Sequence, residues 1–104
     1  MDINELLGLL HQTVMQLDQA NINDDARFDL EGVIIDTKRA IIRHSVDPLR
    51  DISQMTVIDV SQLRTLTPQL AQVIQDERKR AALITRIINI AKAGLRGAGV
   101  PLPS

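Results

Sequence analysis

The imidazoles of His11 and His44 are the first side chains to consider for metal binding or acid–base chemistry. A di-iron site in a helical bundle needs inward carboxylates and a Glu-x-x-His pair, and no glutamate here precedes a histidine by three residues. A calcium loop starting at Asn21 also fails, because its sixth and twelfth positions hold Ala26 and Gly32 instead of glycine and glutamate. We therefore interpret both histidines as structural and expect neither a metal nor a cofactor.

Known signatures of catalysis are missing from the sequence. It contains no Gly-x-Ser-x-Gly, no His-Glu-x-x-His and no phosphate-binding loop, since the glycines of 94–99 follow a predicted helix instead of opening one. Without cysteine it has no thiol nucleophile and no disulfide framework. One polar strip could line a groove, although surface ion pairs are the simpler interpretation; it consists of Asp29, Asp36, Arg39 and Arg43. We predict that the protein is not an enzyme.

Charge is segregated along the chain. Residues 1–36 carry eight acidic side chains against Arg27 alone, whereas residues 78–104 carry six basic side chains and no acid, although the net charge is only −1. Such segregation either holds the two ends of a chain together or offers the basic end to an acidic partner. We identify the basic set as candidate partner-binding residues: Arg78, Lys79, Arg80, Arg86, Lys92 and Arg96.

Four kinds of partner fit this basic set. The chain's own acidic helices or a second protein would be attracted to it, and phosphates of a nucleic acid or an anionic membrane surface would be as well. The nucleic-acid hypothesis is the weaker one, because Phe28 is the only aromatic residue and no helix-turn-helix spacing precedes the set. The charged run 76–80 interrupts an apolar stripe; it is interpreted as an overhanging helix end, a polar interface, or a helix break near Gln75.

Periodic apolar residues predict the elements that carry these side chains. Three main helices are expected at about 2–19, 25–44 and 68–94, the third opened by Thr67-Pro68, with one or two short helices in 45–67. The connector's first short helix would start at Pro48, and the run 21–25 predicts a tight turn. The expected fold is an all-α bundle, and the first helix has the clearest stripe: Ile3, Leu6, Leu7, Leu10, Val14 and Leu17.

The second predicted helix is apolar on two faces. One face holds Leu30, Val33, Ile34, Thr37, Ala40 and Ile41, and the other holds Phe28, Ile35 and Ile42. A helix of this kind is expected to pack on two sides. A β-hairpin of 32–36 with 40–46 is the competing interpretation, since both segments are rich in β-branched residues. Helix is favoured because 37–39 lacks the Gly, Asn or Pro of a hairpin turn.

Length and composition complete the prediction. The 104 residues are enough for one domain, expected at 1–96 with a Gly/Pro-containing tail at 97–104, and the hydrophobic fraction of 44% is ordinary for a globular protein. No secretory signal and no apolar run of membrane-spanning length is present, so we expect a cytoplasmic protein. The predicted function is a non-enzymatic helical protein–protein interaction or assembly module that self-associates as a homo-oligomer. The alternative is a small nucleic-acid-associated regulator that contacts phosphates through its basic C-terminal helix.

Overall fold

The computed structural model describes residues 3–46 and 61–97, and within them it contains four α-helices and no strand. The helices are α1 (Ile3–Gln19), α2 (Asp25–Val46), α3 (Ser61–Val73) and α4 (Glu77–Gly97). The predicted all-α fold is confirmed. The hairpin alternative is wrong, because α2 runs without interruption through both of the segments that would have formed its strands.

Two helical hairpins lie side by side. Consecutive helices pair within each hairpin, α1 with α2 and α3 with α4, and the hairpins meet through α1 against α3 and α2 against α4. Arg64 near the start of α3 donates to Glu5 near the start of α1 (2.7 Å), and the ends of the same two helices share a depression lined by Gln19 and Ile74. Helices α1 and α3 therefore run in the same direction, and both turns lie at one end of the bundle, here called the turn end.

The core is aliphatic. Leu6, Leu10 and Leu17 of α1 are completely buried, as the predicted stripe requires, and every helix contributes side chains to the same cluster. Its members on the other helices are Leu30, Val33, Ile34, Ala40, Leu63, Leu66, Leu70, Leu83, Ile84, Ile87, Ile88, Ala91 and Leu95. Burial of apolar surface on this scale is the main force that holds isolated helices together.

The first turn has a specific hydrogen-bond pattern. At the end of α1, Ile22 N donates to Leu17 O (2.9 Å) and Asn21 N donates to Asp18 O (3.1 Å), while Asn21 has a positive φ of 57°. This is a Schellman ending, in which asparagine tolerates the left-handed conformation better than most residues. Asp24 then caps α2, since its Oδ1 accepts from Arg27 N (3.1 Å). The tight connection predicted at 21–25 is confirmed.

The third predicted helix is divided in two. Helix α3 starts at Ser61, continues through Pro68 and ends at Val73, and α4 begins at Glu77, so the break near Gln75 is present and the predicted start at Pro68 is wrong. Asp76 explains the new boundary, because its Oδ1 accepts from Lys79 N (3.2 Å) and so caps α4. The predicted short helix at Pro48 lies outside the described residues, as do the rest of the connector up to residue 60 and residues 98–104 of the tail.

Replacing Pro68 tests whether this residue lies in the interior of α3, as in the structure, or in the first turn of a helix, as the sequence predicted. Proline inside a helix cannot donate to the carbonyl four residues earlier, here that of Arg64, and its side chain is exposed. Pro68→Ala is expected to raise the free energy of unfolding by about 2 kcal/mol, after the entropy that proline removes from the unfolded chain is subtracted. Urea denaturation measures the change. A loss of stability would mean that Pro68 occupies the first turn of a helix, where proline is favourable.

Candidate interaction surface

The outward face of α2 carries three apolar side chains. Phe28 is 76% exposed, Ile35 is 49% exposed and Ile42 is 61% exposed. They are seven residues apart, so they form a line along the helix, here called the outer stripe, on the side opposite the core residues of α2. The sequence predicted that this second face is packed. Among the described residues, nothing covers it enough to bury it.

Charged residues flank the outer stripe on both sides. The first flank consists of Glu31 and Lys38, and the second consists of Asp29, Asp36, Arg39 and Arg43. Except for Glu31, which accepts from Arg27 Nε (3.3 Å), no side chain of either flank forms an ion pair with another described residue. The surface ion pairs expected within the polar strip are therefore not formed there. On both flanks the acids precede the bases along the helix.

A groove of about 430 Å³ separates the second flank from α4. Its walls are Phe28, Asp29, Gly32, Val33 and Asp36 of α2 and Thr85, Ile88, Asn89 and Lys92 of α4. The groove therefore joins an apolar rim at the outer stripe to two carboxylates and one ammonium group. Such a mixture suits the side chains of a partner helix better than a small polar substrate.

Two helical glycines on the surface have no internal packing role. A Cβ added at Gly32 in α2 or at Gly8 in α1 would meet no atom within 4 Å. Gly32→Ala and Gly8→Ala are each expected to raise the free energy of unfolding by about 0.5–1 kcal/mol, because alanine loses less backbone entropy in a helix. Thermal or urea denaturation at low protein concentration measures both. Destabilisation by either change would show that the backbone there is not an ordinary helix interior.

The six predicted partner-binding residues do not share one environment. The side chain of Arg80 is only 12% exposed; its Nη2 contacts Asp24 Oδ2 at 3.0 Å, and its Nη1 donates to Ile74 O at 2.8 Å. Lys92 lines the groove beside α2. The remaining four are exposed on α4: Arg78, Lys79, Arg86 and Arg96. One member of the set therefore binds the chain's own acidic half, and whether the others bind a partner stays a prediction.

A second arginine organises the turn end, and the sequence did not single it out. Arg27 contacts Asp18 of α1 and Glu31 of α2, and its Nη1 donates to Ile22 O (3.0 Å) in the turn between them. The spacing of four residues between Arg27 and Glu31 was a sequence signal for their ion pair, because side chains four residues apart are neighbours on a helix. The contact with the turn carbonyl depends on how the chain reverses, which no local pattern encodes.

The ionisation of Asp24 makes the stability of the turn end depend on pH. Burial raises the pKa of its carboxyl group, but the backbone amide of Arg27 and the guanidinium of Arg80 outweigh this effect, and the pKa lies below its ordinary value of 3.8. A depressed pKa contributes stability that is present above the pKa of the unfolded chain and is lost as pH falls through the folded value.

We expect Asp24→Asn to reduce the loss of stability on acidification below about pH 4, because asparagine still caps the helix but does not titrate. Urea denaturation at several pH values from neutral to acid measures this dependence. Asp25→Asn, one residue further and exposed, is the control that removes a charge without touching Arg80. An unchanged pH profile in Asp24→Asn would contradict the assignment.

The described residues contain no group of three or more histidines and carboxylates that could hold a metal ion, and His11 is exposed on α1. No helix among them combines the length and apolarity needed to cross a bilayer. Within the described part of the chain, the outer stripe with its charged flanks is therefore the candidate functional surface. Comparison with protein-family models, with curated proteins and with solved structures finds no match to this chain.

Proposed function

We propose that this protein is a non-enzymatic helical assembly module that self-associates through the outer stripe of α2. The observation that supports this most is the exposure of three large apolar side chains in one line on a helix whose opposite side builds the core. Isolated surface leucines or isoleucines are common, but a line of such residues with polar edges is characteristic of a protein–protein contact.

The flanking charges support the same function. Interfaces place an apolar centre inside a polar rim, and here the outer stripe lies between two rows of charged side chains. Asp29, Asp36, Lys38, Arg39 and Arg43 form no ion pair with another described residue, so such pairing costs no internal salt bridge within that part of the chain.

Sedimentation equilibrium over micromolar to millimolar protein tests the proposal. The weight-average mass is expected to rise with concentration above the 11.5 kDa of one chain. Ile35→Asp is expected to abolish this rise, because a carboxylate would be desolvated at the centre of the contact. Met15→Asp is the matched control, since Met15 is 57% exposed on α1, outside the outer stripe. A wild-type chain that remains monomeric throughout would refute self-association.

The exposed cations of α4 favour a second candidate function. Arg78, Arg86 and Arg96 lie on the outward side of this helix, where they are accessible to the phosphates of a nucleic acid. Retention on immobilised DNA that falls steeply with salt, and is lost in a variant with all three replaced by glutamine, would support a nucleic-acid-associated regulator. Self-association without such retention supports the assembly module alone.

A further inference from the structure

We infer that the partner of the outer stripe is a second copy of this chain, with the two α2 helices antiparallel and Ile35 on the twofold axis. The inference rests on the proposed self-association and adds its orientation and register. It is supported by the charge pattern on the two flanks of the outer stripe, which forms more pairs of opposite charge in the antiparallel orientation than in the parallel one.

The outer stripe is symmetric about its middle residue. Phe28 and Ile42 each lie seven residues from Ile35, which is about 10 Å along a helix. In an antiparallel pair centred on Ile35, Phe28 of one copy therefore packs against Ile42 of the other, and Ile35 packs against Ile35. A twofold contact of this kind uses the same patch on both subunits and closes at a dimer.

The first flank complements itself in this register. In an antiparallel pair of facing helices, the first flank of one copy lies against the first flank of the other, and the two flanks run in opposite directions. Glu31 lies four residues before Ile35 and Lys38 three residues after it, so Glu31 of each copy comes level with Lys38 of the other. The dimer gains two symmetric pairs of opposite charge.

The second flank does the same. Asp29 lies six residues before Ile35. Measured along the helix axis of the dimer, it therefore lies between Arg39 and Arg43 of the second copy. Gly32, which has no side chain and no internal packing role, leaves the mouth of the groove open beside Asp29. A guanidinium from the second copy can therefore approach the carboxylate of Asp29 along the groove wall, where paired donors and acceptors of this kind bind well. The one like-charge contact on this flank is between the two Asp36 side chains, whose levels differ by two residues.

The parallel arrangement places like charges together. Parallel helices bring the first flank of one copy against the second flank of the other at the same level. Lys38 would then lie one residue from the level of Arg39 and two from that of Asp36, and Glu31 would lie two residues from the level of Asp29, on both sides of the dimer. On each side the two like-charge contacts, with Arg39 and with Asp29, outnumber the one attractive contact with Asp36, so the charge pattern favours the antiparallel pair over the parallel one.

Single cysteines test the orientation, because the natural chain has none. Under mild oxidation Ile35→Cys alone is expected to form a disulfide-linked dimer. Phe28→Cys alone and Ile42→Cys alone are not, since each lies about 20 Å from its own copy, beyond disulfide reach. A mixture of those two variants is expected to cross-link. Cross-linking of Phe28→Cys with itself as efficiently as Ile35→Cys would establish a parallel pair and overturn the inference.

A charge exchange provides a test that keeps the outer stripe intact. Glu31→Lys and Lys38→Glu are each expected to weaken homodimerisation about tenfold, and an equimolar mixture of the two variants is expected to associate as tightly as the wild-type chain. In a parallel pair Glu31→Lys would instead strengthen the dimer, because it removes a repulsion with Asp29. No change in either variant would place the contact elsewhere and overturn the inference.

Sedimentation of the wild-type chain distinguishes a failure of the antiparallel register from a failure of self-association. Dimers with the wrong cross-linking or charge-exchange pattern refute the antiparallel register and leave self-association standing. A monomer at every concentration, together with a loss of folding stability in Ile35→Asp, would mean that another part of the same chain covers the outer stripe; both the register and the proposed function then fail.

Discussion

Leu10→Ala is expected to lower the free energy of unfolding by about 3 kcal/mol, whereas Leu9→Ala is expected to lower it by about 1 kcal/mol or less. The two residues are chemically identical neighbours on α1. Leu10 is completely buried in the core, and Leu9 lies at its edge, partly exposed. Removing three carbons from Leu10 loses their transfer free energy and leaves a cavity that the surrounding aliphatic side chains fill only in part.

Urea denaturation of both variants at one low protein concentration measures the difference without a contribution from dimerisation. For a domain whose total stability is of the order of 5–15 kcal/mol, the loss in Leu10→Ala is large enough to shift the transition clearly. Equal losses in the two variants would mean that α1 does not present the face that the structure assigns to the core.

Arg80→Met is expected to lower the free energy of unfolding by about 2 kcal/mol. Methionine preserves the apolar stem of the side chain but removes the guanidinium, so Asp24 loses an ion pair at 3.0 Å and Ile74 O loses a donor at 2.8 Å. The side chain of Arg80 is mostly buried, so water replaces these contacts poorly. Arg78→Met, on the exposed side of the same helix, is the control and is expected to change stability little.

A double-mutant cycle with Asp24→Asn isolates the pair itself. If the two side chains act together, the double variant is expected to be more stable than the sum of the single losses predicts. Strictly additive losses would show that Arg80 stabilises the turn end through the Ile74 carbonyl alone. The result matters for function, because Arg80 connects the turn of the second hairpin to Asp24, the residue that caps α2, and so steadies the helix that carries the outer stripe.

The placement of Arg80 also changes how the basic C-terminal helix is understood. Charge segregation along the chain predicted either an internal attraction or an external acidic partner. Arg80 provides the internal attraction, since it binds Asp24, which lies 56 residues earlier. The exposed cations on α4 remain candidates for a partner, and the self-complementary charges on α2 offer a different route to assembly.

Sequence alone determined the features that depend on neighbours within a few residues. The stripe of α1 was readable because apolar residues recur with the helical period, and the turn at 21–25 was readable because asparagine and aspartate have local hydrogen-bonding preferences. The two apolar faces of α2 were also visible. Which face enters the core was not, since Leu30 and Ile35 are equally apolar and periodicity does not rank one face above the other.

Tertiary structure decided what depends on residues far apart in the chain. The packing of α1 and α4 against one side of α2 buries Leu30 and leaves Ile35 outside, which turns a periodic pattern into a surface. The continuation of α3 through Pro68 was missed because Thr67-Pro68 has the local chemistry of a helix start, and burial of Leu63, Leu66 and Leu70 outweighs the missing hydrogen bond of Pro68. Local preferences are worth tenths of a kilocalorie to a few kilocalories per mole, and burial in a shared core exceeds them wherever the two conflict.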